Sequence, residues 1–317
     1  MKKPLIVIAG PTACGKTDLS IALAKKIGGE IISGDSMQVY KLMDIGTAKP
    51  TVEEMENIPH FLIDEIYPDD EYNVMIFQSK AKGYIEEIYK RGHIPIIVGG
   101  TGFYINALVY DNDFTEESGE KIRDELYSIA AKEGPERIHT MLYEIDPDYA
   151  AAIHPNNIKR VARALEFYRL TGKKMSEHNK DARAKESPYN LAFFVLNMDR
   201  NILYERINKR VDIMIENGLE AEVRRLVSMG YSRELVSMQG LGYKEFFPYF
   251  DGEITFEEAV DDIKKYTRHF AKRQLTWFKR QNDGIWLDKS ANVKDTKTDL
   301  LDEILRVLKQ KSIISEE

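Results

Sequence analysis

The feature that most constrains this chain is an apolar segment that runs directly into a glycine-rich loop. Residues 5–9 read LIVIA, a short and partly β-branched run that is typical of a buried parallel strand. The next eight residues, GPTACGKT, match the pattern G-x-x-x-x-G-K-[ST], and residues 18–26 then have the character of a helix. A strand, this loop and a helix in that order predict an α/β core with a loop that binds phosphate groups.

The loop spans residues 10–17, and its residue types suit a polyanionic ligand. Gly10 and Gly15 allow the backbone to bend so that successive N–H groups face one anionic centre, at the positive end of the following helix. Lys16 can then reach the outer phosphates, and the Thr17 hydroxyl is placed to bind Mg²⁺. The motif predicts a bound di- or triphosphate but does not specify ATP. Its residues are Gly10, Pro11, Thr12, Ala13, Cys14, Gly15, Lys16 and Thr17.

Composition excludes several classes of protein. The chain of 317 residues has a net charge of −7 and one cysteine, so an internal disulfide framework and a zinc site of several cysteines are excluded. No apolar run approaches the roughly 20 residues of a membrane span. The N-terminus lacks a signal peptide's cleavage region, because it becomes the strand before the loop. We therefore expect a cytoplasmic protein with no membrane partner.

Two further strands predict where a ligand would lie. One covers residues 30–33 and ends at Asp35; the other covers residues 94–98 and is followed by a glycine pair and Thr101. Because the carboxyl ends of parallel strands face the ligand crevice, both residues are site candidates. An Asx turn explains Asp35 equally well, and a tight turn explains Thr101. No acid ends strand 94–98, where many P-loop hydrolases carry one, which weakens an ATPase interpretation.

The pattern changes after residue 112. Residues 116–185 show no convincing strand pattern, and we predict three helices there, at residues 116–133, 135–145 and 156–170. We therefore predict an all-helical insertion, residues 113–187, in a core of residues 1–112 and 188–317. Within the insertion, Arg160 and Arg163 lie three residues apart on one helix face, which suits either a ligand or a solvated basic face. The predicted fold class is therefore α/β, a P-loop-type parallel sheet core flanked by helices, with an all-helical insertion domain.

Two helices after the insertion carry notable cations. Arg206 and Arg210 lie one helical turn apart after the apolar run 191–199, where one of them could reach the phosphates. Thr255 and Glu258 form a capping box for a long helix. From residue 264 to residue 280 this helix has no acid and carries a basic stripe of Lys264, Lys265, Arg268, Lys272, Arg273, Lys279 and Arg280.

The basic stripe is unusual for a protein of negative net charge. A solvated face is the simplest explanation of a charge run, but these cations are too concentrated for an average surface. Such a stripe suits a phosphodiester backbone. Four aromatic residues alternate with the cations, and we expect most of them to form the buried face of the helix. They are Tyr266, Phe270, Trp277 and Phe278.

Seven segments, in order along nearly the whole chain, resemble the tRNA dimethylallyltransferases, also called tRNA isopentenyltransferases. The segments are GPTACGKT, SGDSMQVYKLMDIGTAKP, PIIVGGTGFYI, HPNNIKRVARALE, RINKRVDIM, QGLGYKE and TRHFAKRQLTWF. The resemblance implies transfer of a dimethylallyl group from dimethylallyl diphosphate to N6 of the adenine just 3′ of the anticodon. It implies Mg²⁺ as cofactor and the tRNA anticodon stem-loop as partner. The chain lacks the cysteines of the eukaryotic zinc finger and so resembles the shorter bacterial form, which we expect to be a monomer.

The resemblance also implies roles for individual residues. Residues 10–17 look like the diphosphate cradle, with Lys16 stabilising the leaving group and Thr17 touching Mg²⁺. Asp35 resembles the general base, and Arg210 resembles the arginine that meets the diphosphate. The positions that resemble the family's tRNA-binding residues are Asp35, Ser36, Met37, Gln38, Thr101, Arg123, Lys159, Arg160, Arg163, Gln239, Gly240, Gly242, Lys244, Arg268, Lys272, Arg273 and Gln274.

Two other functions fit parts of the sequence. A P-loop, ATP-dependent kinase of a small molecule or nucleoside would share the loop, a basic lid and a helical insertion. A tRNA-binding protein without catalytic activity would share the basic stripe and keep the loop as a vestige. Whether the reaction consumes dimethylallyl diphosphate or ATP, and whether Asp35→Asn abolishes transfer, would distinguish these from the transferase.

Overall fold

The computed structural model describes residues 2–112, 119–281, 283–289 and 296–315, without the side chains of residues 182–184, 296 and 297. The chain divides into two compact units. The first comprises Met1–Asp111 with Ser187–Glu317, and the second comprises Asn112–Glu186. We call them the core unit and the helical unit, and each is described by itself.

The core unit is built on one parallel sheet of six strands. The strands are β1 (Pro4–Ala9), β2 (Gly29–Ser33), β3 (His60–Phe61), β4 (Ile94–Gly99), β5 (Asn190–Asn197) and β6 (Gly284–Asp288). Their order is β3-β2-β4-β1-β5-β6, so β1 lies in the middle between β4 and β5. The register pairs Ile8 of β1 with Val98 on one side and with Phe194 on the other. The glycine-rich loop therefore leaves the sheet at its centre.

Fourteen helices follow from the remaining segments of the described chain. They are α1 (Lys16–Ile27), α2 (Val52–Met55), α3 (Val74–Lys90), α4 (Gly102–Val109), α5 (Glu120–Glu133), α6 (Pro135–Ile145), α7 (Pro147–Ala151), α8 (Ile158–Thr171), α9 (Met175–Ala184), α10 (Arg200–Glu216), α11 (Leu219–Ser228), α12 (Phe246–Phe250), α13 (Phe256–Phe278) and α14 (Thr296–Gln310). Both faces of the sheet are covered, which explains why its strands are nearly continuous apolar runs.

Alternate residues of β1 belong to two separate hydrophobic cores. Leu5 and Val7 pack with buried residues of α3, α4, α11, α12 and α13 on one face of the sheet. Ile6 and Ile8 pack with buried residues of α1, α10 and α14 on the other. This period of two is the geometry of a strand, and it holds the sheet between two helical layers.

Local signals place the ends of several helices where the sequence predicts them. The Thr255 hydroxyl accepts the N–H of Glu258 at 3.2 Å, and the Glu258 carboxylate accepts the N–H of Thr255 at 2.8 Å, so the predicted capping box is confirmed. Asn73 caps α3 in the same manner, accepting the N–H groups of Met75 and Ile76. These side chains satisfy N–H groups that would otherwise lack a partner in the first helical turn.

The helical unit contains α5 to α9 and has a hydrophobic core of its own, which includes Leu126, Leu142 and Leu165. The predicted start of its first helix, residue 116, lies outside the described residues, and the described part of α5 begins at Glu120. Two described helices of this unit were not predicted: α7, which the Asp146 side chain caps, and the polar α9. Both are short segments without a strong apolar period. In the described part of the chain, no helix combines the length and apolar character that crossing a membrane requires.

Candidate active site

The glycine-rich loop between β1 and α1 has the backbone conformation that its glycines predict. Gly15 has φ +87°, in the region that favours glycine, and α1 begins at the next residue, Lys16. The Lys16 ammonium group donates to the carbonyl oxygens of Gly10 at 3.0 Å and Pro11 at 2.7 Å. Thr12, Lys16 and Thr17 line a cavity of about 370 Å³ at the carboxyl edge of the sheet.

Asp35 lies in the wall of this cavity, two residues after β2. Its Oδ1 atom accepts the N–H of Met37 at 2.9 Å. The residue is half-buried, and protein atoms surround its carboxyl group. Burial therefore raises the pKa of Asp35, although the Met37 N–H and the nearby Lys16 charge act against it. Asp35 is thus both the first residue of a local turn and a residue of the site.

The segment after Asp35 is held by three separate elements. The Ser36 N–H donates to the Thr101 hydroxyl at 3.1 Å, which joins it to the tip of β4. The Gln38 amide accepts from the Ser33 hydroxyl at 3.0 Å and donates to the carbonyls of Thr47 and Ala48. The side chains of residues 36–38 and Thr101 are thereby fixed at the cavity wall.

Close backbone approach explains the glycines at the tip of β4. A Cβ atom on Gly99 would overlap the backbone of Gly34, and one on Gly100 would overlap the side-chain nitrogen of Gln274. Only a residue without a side chain fits between these groups. In addition, this strand ends in glycines rather than in the carboxylate that many P-loop hydrolases use.

Three cations surround the P-loop, and two of them come from α10. The Arg206 Nε atom donates to the carbonyl oxygen of Ala13 at 2.9 Å. Arg210 lines the cavity, and burial lowers the pKa of its guanidinium, an effect that the neighbouring Cys14 opposes. An arginine nevertheless stays charged in a protein. The third cation is Lys289, which follows β6 and lies with Nζ 2.5 Å from the position of a Cβ atom on Gly15.

Residues 239–244 form another part of the cavity wall. Gln239 ends a short 3₁₀ helix, Ser237–Gln239, and Gly240 packs so closely that a Cβ atom there would lie 2.5 Å from the Met37 methyl group. Gln239, Gly240, Gly242 and Lys244 all line the cavity.

A buried glutamate anchors a further part of the cavity wall. Glu222 of α11 accepts the N–H groups of Asp44, Ile45 and Gly46 at 3.0, 2.9 and 3.1 Å. It also accepts the Tyr243 hydroxyl at 2.7 Å. One carboxylate therefore joins residues 44–46 to the glycine-rich segment around Tyr243, and Gly46 and Tyr243 both contact the cavity. Nothing in the sequence distinguishes Glu222 from an ordinary surface acid of an amphipathic helix.

Helix α13 closes the cavity with Thr267, Phe270, Arg273 and Gln274. Gln274 is only 6% exposed. Its carbonyl oxygen accepts the N–H of Thr12 at 2.9 Å, and its amide nitrogen donates to the carbonyl oxygen of Gly100 at 3.0 Å. The resemblance implied a tRNA contact at Gln274, but the structure engages both of its polar groups inside the protein.

The basic stripe proves to be two different regions. Lys264 pairs with Asp212 at 2.6 Å, Lys265 pairs with Asp262 at 3.1 Å, and Arg268 donates to Asn208 at 2.6 Å. These partners come from α10 and from α13 itself. The charges of Lys264 and Lys265 are therefore compensated, and Arg268 is held by a neutral amide. Lys272, Arg273, Lys279 and Arg280 are exposed, and among the described residues none has an acidic partner within ion-pair distance. The expectation that most aromatics of this helix are buried was wrong: only Phe278 is fully buried, and Tyr266 is 38% exposed.

The predicted site residues thus fall into three groups. Those that line one cavity are Thr12, Lys16, Thr17, Asp35, Ser36, Met37, Gln38, Thr101, Arg210, Gln239, Gly240, Gly242, Lys244, Arg273 and Gln274. Those in the core unit that do not line it are Gly10, Pro11, Ala13, Cys14, Gly15, Arg268 and Lys272. Those in the helical unit are Arg123, Lys159, Arg160 and Arg163.

In the helical unit, the predicted basic residues differ in their surroundings. Lys159 and Arg160 are exposed at the start of α8. Arg163 donates to the fully buried Glu166 carboxylate at 2.8 Å, and the Arg123 Nε atom lies 3.1 Å from the other oxygen of Glu166. Arg123 and Arg163 therefore share a structural ion pair and still present about four-tenths to half of their side chains to solvent.

Two family models match this chain. The one described as IPP transferase covers residues 38–281, and the one described as Isopentenyl transferase covers residues 3–70. A curated tRNA dimethylallyltransferase of Lachnoclostridium phytofermentans is 56% identical over 315 residues, which are 98% of this chain and 99% of that protein. One of Clostridioides difficile is 50% identical over 95% of this chain and 97% of its own length.

Solved structures give the same result. The full-length tRNA isopentenylpyrophosphate transferase of Bacillus halodurans matches with a TM-score of 0.74 at 45% identity, covering 98% of this chain and 99% of its own. A eukaryotic dimethylallyltransferase, solved acting on tRNA, matches with a TM-score of 0.81 at 34% identity, covering 96% of this chain and 78% of its own. The predicted α/β fold class is confirmed. The chain therefore belongs to the IPP transferase family, the family of the tRNA dimethylallyltransferases.

Proposed function

We propose that this protein transfers a dimethylallyl group from dimethylallyl diphosphate to N6 of the adenine immediately 3′ of the anticodon in tRNA, and releases diphosphate. The observation that carries the proposal is that one cavity contains both Asp35 and the Lys16 and Thr17 side chains of the P-loop. A proton acceptor and a phosphate cradle that line one cavity suit a displacement in which an amine attacks and diphosphate leaves. Relatives with the name tRNA dimethylallyltransferase support this acceptor and donor.

Asp35 acts as the general base in this proposal. The lone pair of an exocyclic adenine amine is conjugated with the ring, so N6 is a poor nucleophile. A carboxylate that accepts a hydrogen bond from N6–H raises the electron density on nitrogen and takes the proton as the C–N bond forms. The raised pKa of Asp35 improves its match to this task near neutral pH.

The P-loop and its neighbouring cations stabilise the leaving group. As the allylic C–O bond breaks, the bond electrons stay on the diphosphate oxygen while the carbon carries partial positive charge. Loop N–H groups, Lys16 and Arg210 are placed to balance that developing negative charge. Apolar side chains of the same cavity, such as Val211, Met214 and Ile263, suit the prenyl group.

Mg²⁺ is the cofactor that we propose for this site. The Thr17 hydroxyl lines the cavity beside Lys16 and would hold the ion together with diphosphate oxygens and water. Among the described residues, no three His, Cys, Asp or Glu side chains lie close enough to hold a metal. This fits Mg²⁺, which commonly takes only one or two protein ligands at phosphate sites. When bound, the ion would neutralise charge on the diphosphate.

The tRNA anticodon stem-loop is the proposed macromolecular substrate. N6 lies within a stacked loop, so the adenine must leave the stack to reach Asp35, and this costs less in a loop than in a duplex. We propose a monomer as the active form. We propose that the protein works in the cytoplasm on unmodified tRNA.

The kinase alternative is not favoured, since the family and the relatives that match are transferases that modify tRNA. A single-turnover assay tests both. Purified protein, Mg²⁺ and unmodified tRNA with adenine after the anticodon are mixed with dimethylallyl diphosphate or with ATP, and the tRNA digest is analysed by mass spectrometry. We expect one prenyl group on that adenine, dependent on the diphosphate donor and lost with a chelator.

Two control arms make the result specific. A tRNA with guanine in place of the target adenine should gain no mass. Addition of excess Mg²⁺ after the chelator should restore transfer. Phosphate release from ATP, with the tRNA left without a prenyl group, would contradict dimethylallyl diphosphate as the donor. Transfer that continues in the presence of the chelator would contradict Mg²⁺ as the cofactor.

A further inference from the structure

One side chain of α13 bridges two loops that approach the cavity from different strands. The oxygen of Gln274 accepts the N–H of Thr12 in the P-loop, and its nitrogen donates to the carbonyl of Gly100 after β4. The partners fix the orientation of the amide, because a backbone N–H can only donate and a carbonyl can only accept. Gln274 is 6% exposed, so water does not replace these bonds easily.

Glutamine is the residue that this position needs. A methionine of similar size would leave the N–H of Thr12 and the carbonyl of Gly100 without partners in a buried place. A glutamate could accept from Thr12, but its ionised carboxylate would face the Gly100 carbonyl with no proton to donate. Gly100 itself must lack a side chain, because a Cβ atom there would overlap the Gln274 nitrogen.

The same stretch of α13 presents cations to solvent. Lys272 and Arg273 are exposed immediately before Gln274 and belong to the part of the basic stripe that has no acidic partner among the described residues. One turn later, Trp277 packs against Gly102 at the start of α4, where a Cβ atom would overlap its ring. A helical turn is stiff, so residues 272–277 of α13 move together. A ligand that shifts these residues therefore also shifts the Gln274 amide and, through its hydrogen bond, the backbone of Thr12.

We propose that Gln274 is a positioning residue that holds the P-loop to α13 and couples RNA binding on α13 to diphosphate binding in the cavity. This proposal rests on the proposed function and replaces the implied tRNA contact at Gln274. Thermodynamic linkage makes the coupling reciprocal: RNA tightens diphosphate binding by the same factor by which diphosphate tightens RNA binding.

The first test uses Gln274→Met, with Thr276→Ala as a matched control on the same helix, where the exposed Thr276 hydroxyl donates to the Lys272 carbonyl. Calorimetry measures the Kd for inorganic diphosphate with Mg²⁺, with and without an unmodified anticodon stem-loop, and fluorescence anisotropy measures the Kd for the RNA alone. We expect Gln274→Met to weaken diphosphate binding about five- to tenfold without RNA. RNA affinity alone should stay within about twofold of wild type, and the RNA effect on diphosphate should disappear.

The second test uses Gln274→Glu and separates positioning from a general loss of structure. A protonated carboxyl group, like an amide, has one donor and one acceptor, so it can restore both hydrogen bonds. Diphosphate affinity of this variant, expressed relative to wild type at each pH, should recover as pH falls. Lys16, Asp35, Arg210 and Arg273 also line the cavity, and the ratio to wild type removes their contribution.

Four outcomes would overturn the proposal. Wild-type diphosphate affinity in Gln274→Met would show that the bridge does not position the loop. Loss of RNA affinity with unchanged diphosphate binding would make Gln274 an RNA contact. If RNA does not change the Kd of the wild type for diphosphate, the two ligands are not coupled. If the wild type does not bind diphosphate at all, diphosphate is not a ligand of the cavity. If the wild type binds diphosphate and RNA but transfers no prenyl group, the proposed function fails while the positioning result stands.

Discussion

Asp35 is both a turn residue and a site residue, the two alternatives that the sequence leaves open. Its Oδ1 atom accepts the Met37 N–H, which is the local turn expected of an aspartate after a strand, and its carboxyl group also lines the cavity. Burial raises its pKa, although Lys16 opposes the shift. A half-buried carboxylate in the cavity wall is what a general base near neutral pH requires.

The pH profile of transfer should report this group. Asp35 must be ionised to take a proton, so we predict that the single-turnover rate falls on the acid side with a midpoint above the usual aspartate range. Asp35→Asn should remove this acid limb and lower the rate by about 10²- to 10⁴-fold. RNA affinity serves as the control and should persist. Transfer by Asp35→Asn at the wild-type rate would disprove the assignment and would leave the turn as the only role of Asp35.

The ionised carboxylate of Asp35 should lower the free energy of unfolding. Because the folded-state pKa of Asp35 is raised, its ionisation destabilises the fold above that pKa, and the cost disappears below the unfolded-state pKa. Asp35→Asn should therefore raise Tm at neutral pH, and the gain should shrink as pH falls through the folded-state pKa. Asp69→Asn, at an exposed position, is the control and should leave Tm unchanged. A lower Tm for Asp35→Asn at neutral pH would contradict the burial argument.

At the scale of elements, α13 carries two functions on different sides. Lys264 and Arg268 contact α10, while Gln274 and Trp277 contact the P-loop and the tip of β4. The cations that remain for RNA lie toward the carboxyl end of the helix. The sequence predicts a uniform stripe, because a count of charges along one segment cannot show that Asp212 and Asn208 of another helix lie opposite it.

Charge reversal at Lys272 and Arg273 tests the exposed part of the stripe. The Lys272→Glu, Arg273→Glu double variant should weaken tRNA binding and reduce the slope of log Kd against log salt by about one for each phosphate that the variant no longer neutralises. Lys26→Glu with Lys311→Glu makes the same change in net charge at two other exposed positions and serves as the control. Equal effects in both variants would show that only net charge matters, and unchanged binding would make the stripe a solvated face.

At the scale of the whole molecule, the helical unit is an insertion with a core of its own. The ends of the core unit that flank it are close together, because the Ser187 hydroxyl donates to the Val109 carbonyl at 2.6 Å. We predict that replacing residues 112–186 with a short Gly-Ser linker leaves a folded core unit that binds diphosphate. Its tRNA affinity should fall, since Arg123, Lys159, Arg160 and Arg163 are removed.

Circular dichroism, calorimetry with diphosphate and anisotropy with tRNA measure the three properties separately. Arg160→Glu in the full chain is the matched control for the RNA effect, because Arg160 is exposed at the start of α8 and its change leaves the insertion in place. Unchanged tRNA affinity after the deletion would assign RNA binding to the core unit alone. A core unit that fails to fold would show that the two units depend on each other.

The sequence by itself determined the main strands and helices around the site, although not short elements such as α7 and α9, and the family resemblance added most of the predicted residues that line the cavity. The P-loop, the β2 and β4 tips and the capping box of α13 follow from interactions among residues a few positions apart, and such interactions are legible in a local pattern. The sequence also indicated Asp35 and Arg210 as site candidates. Asp35 follows a strand end, Arg210 lies one helical turn after Arg206, and both positions have defined geometry.

Only the tertiary structure decided which distant groups complete the site. Gln274 reaches Thr12 across 262 positions in the chain, and Glu222 reaches residues 44–46 across 176 to 178. Lys289 lies against Gly15, and Asp212 compensates Lys264. Each of these contacts depends on how separate helices and strands pack, and a buried carboxylate or amide has the same local sequence character as an exposed one. The physical reason is that hydrogen bonds and charges act through space, whereas a sequence pattern records only neighbours along the chain.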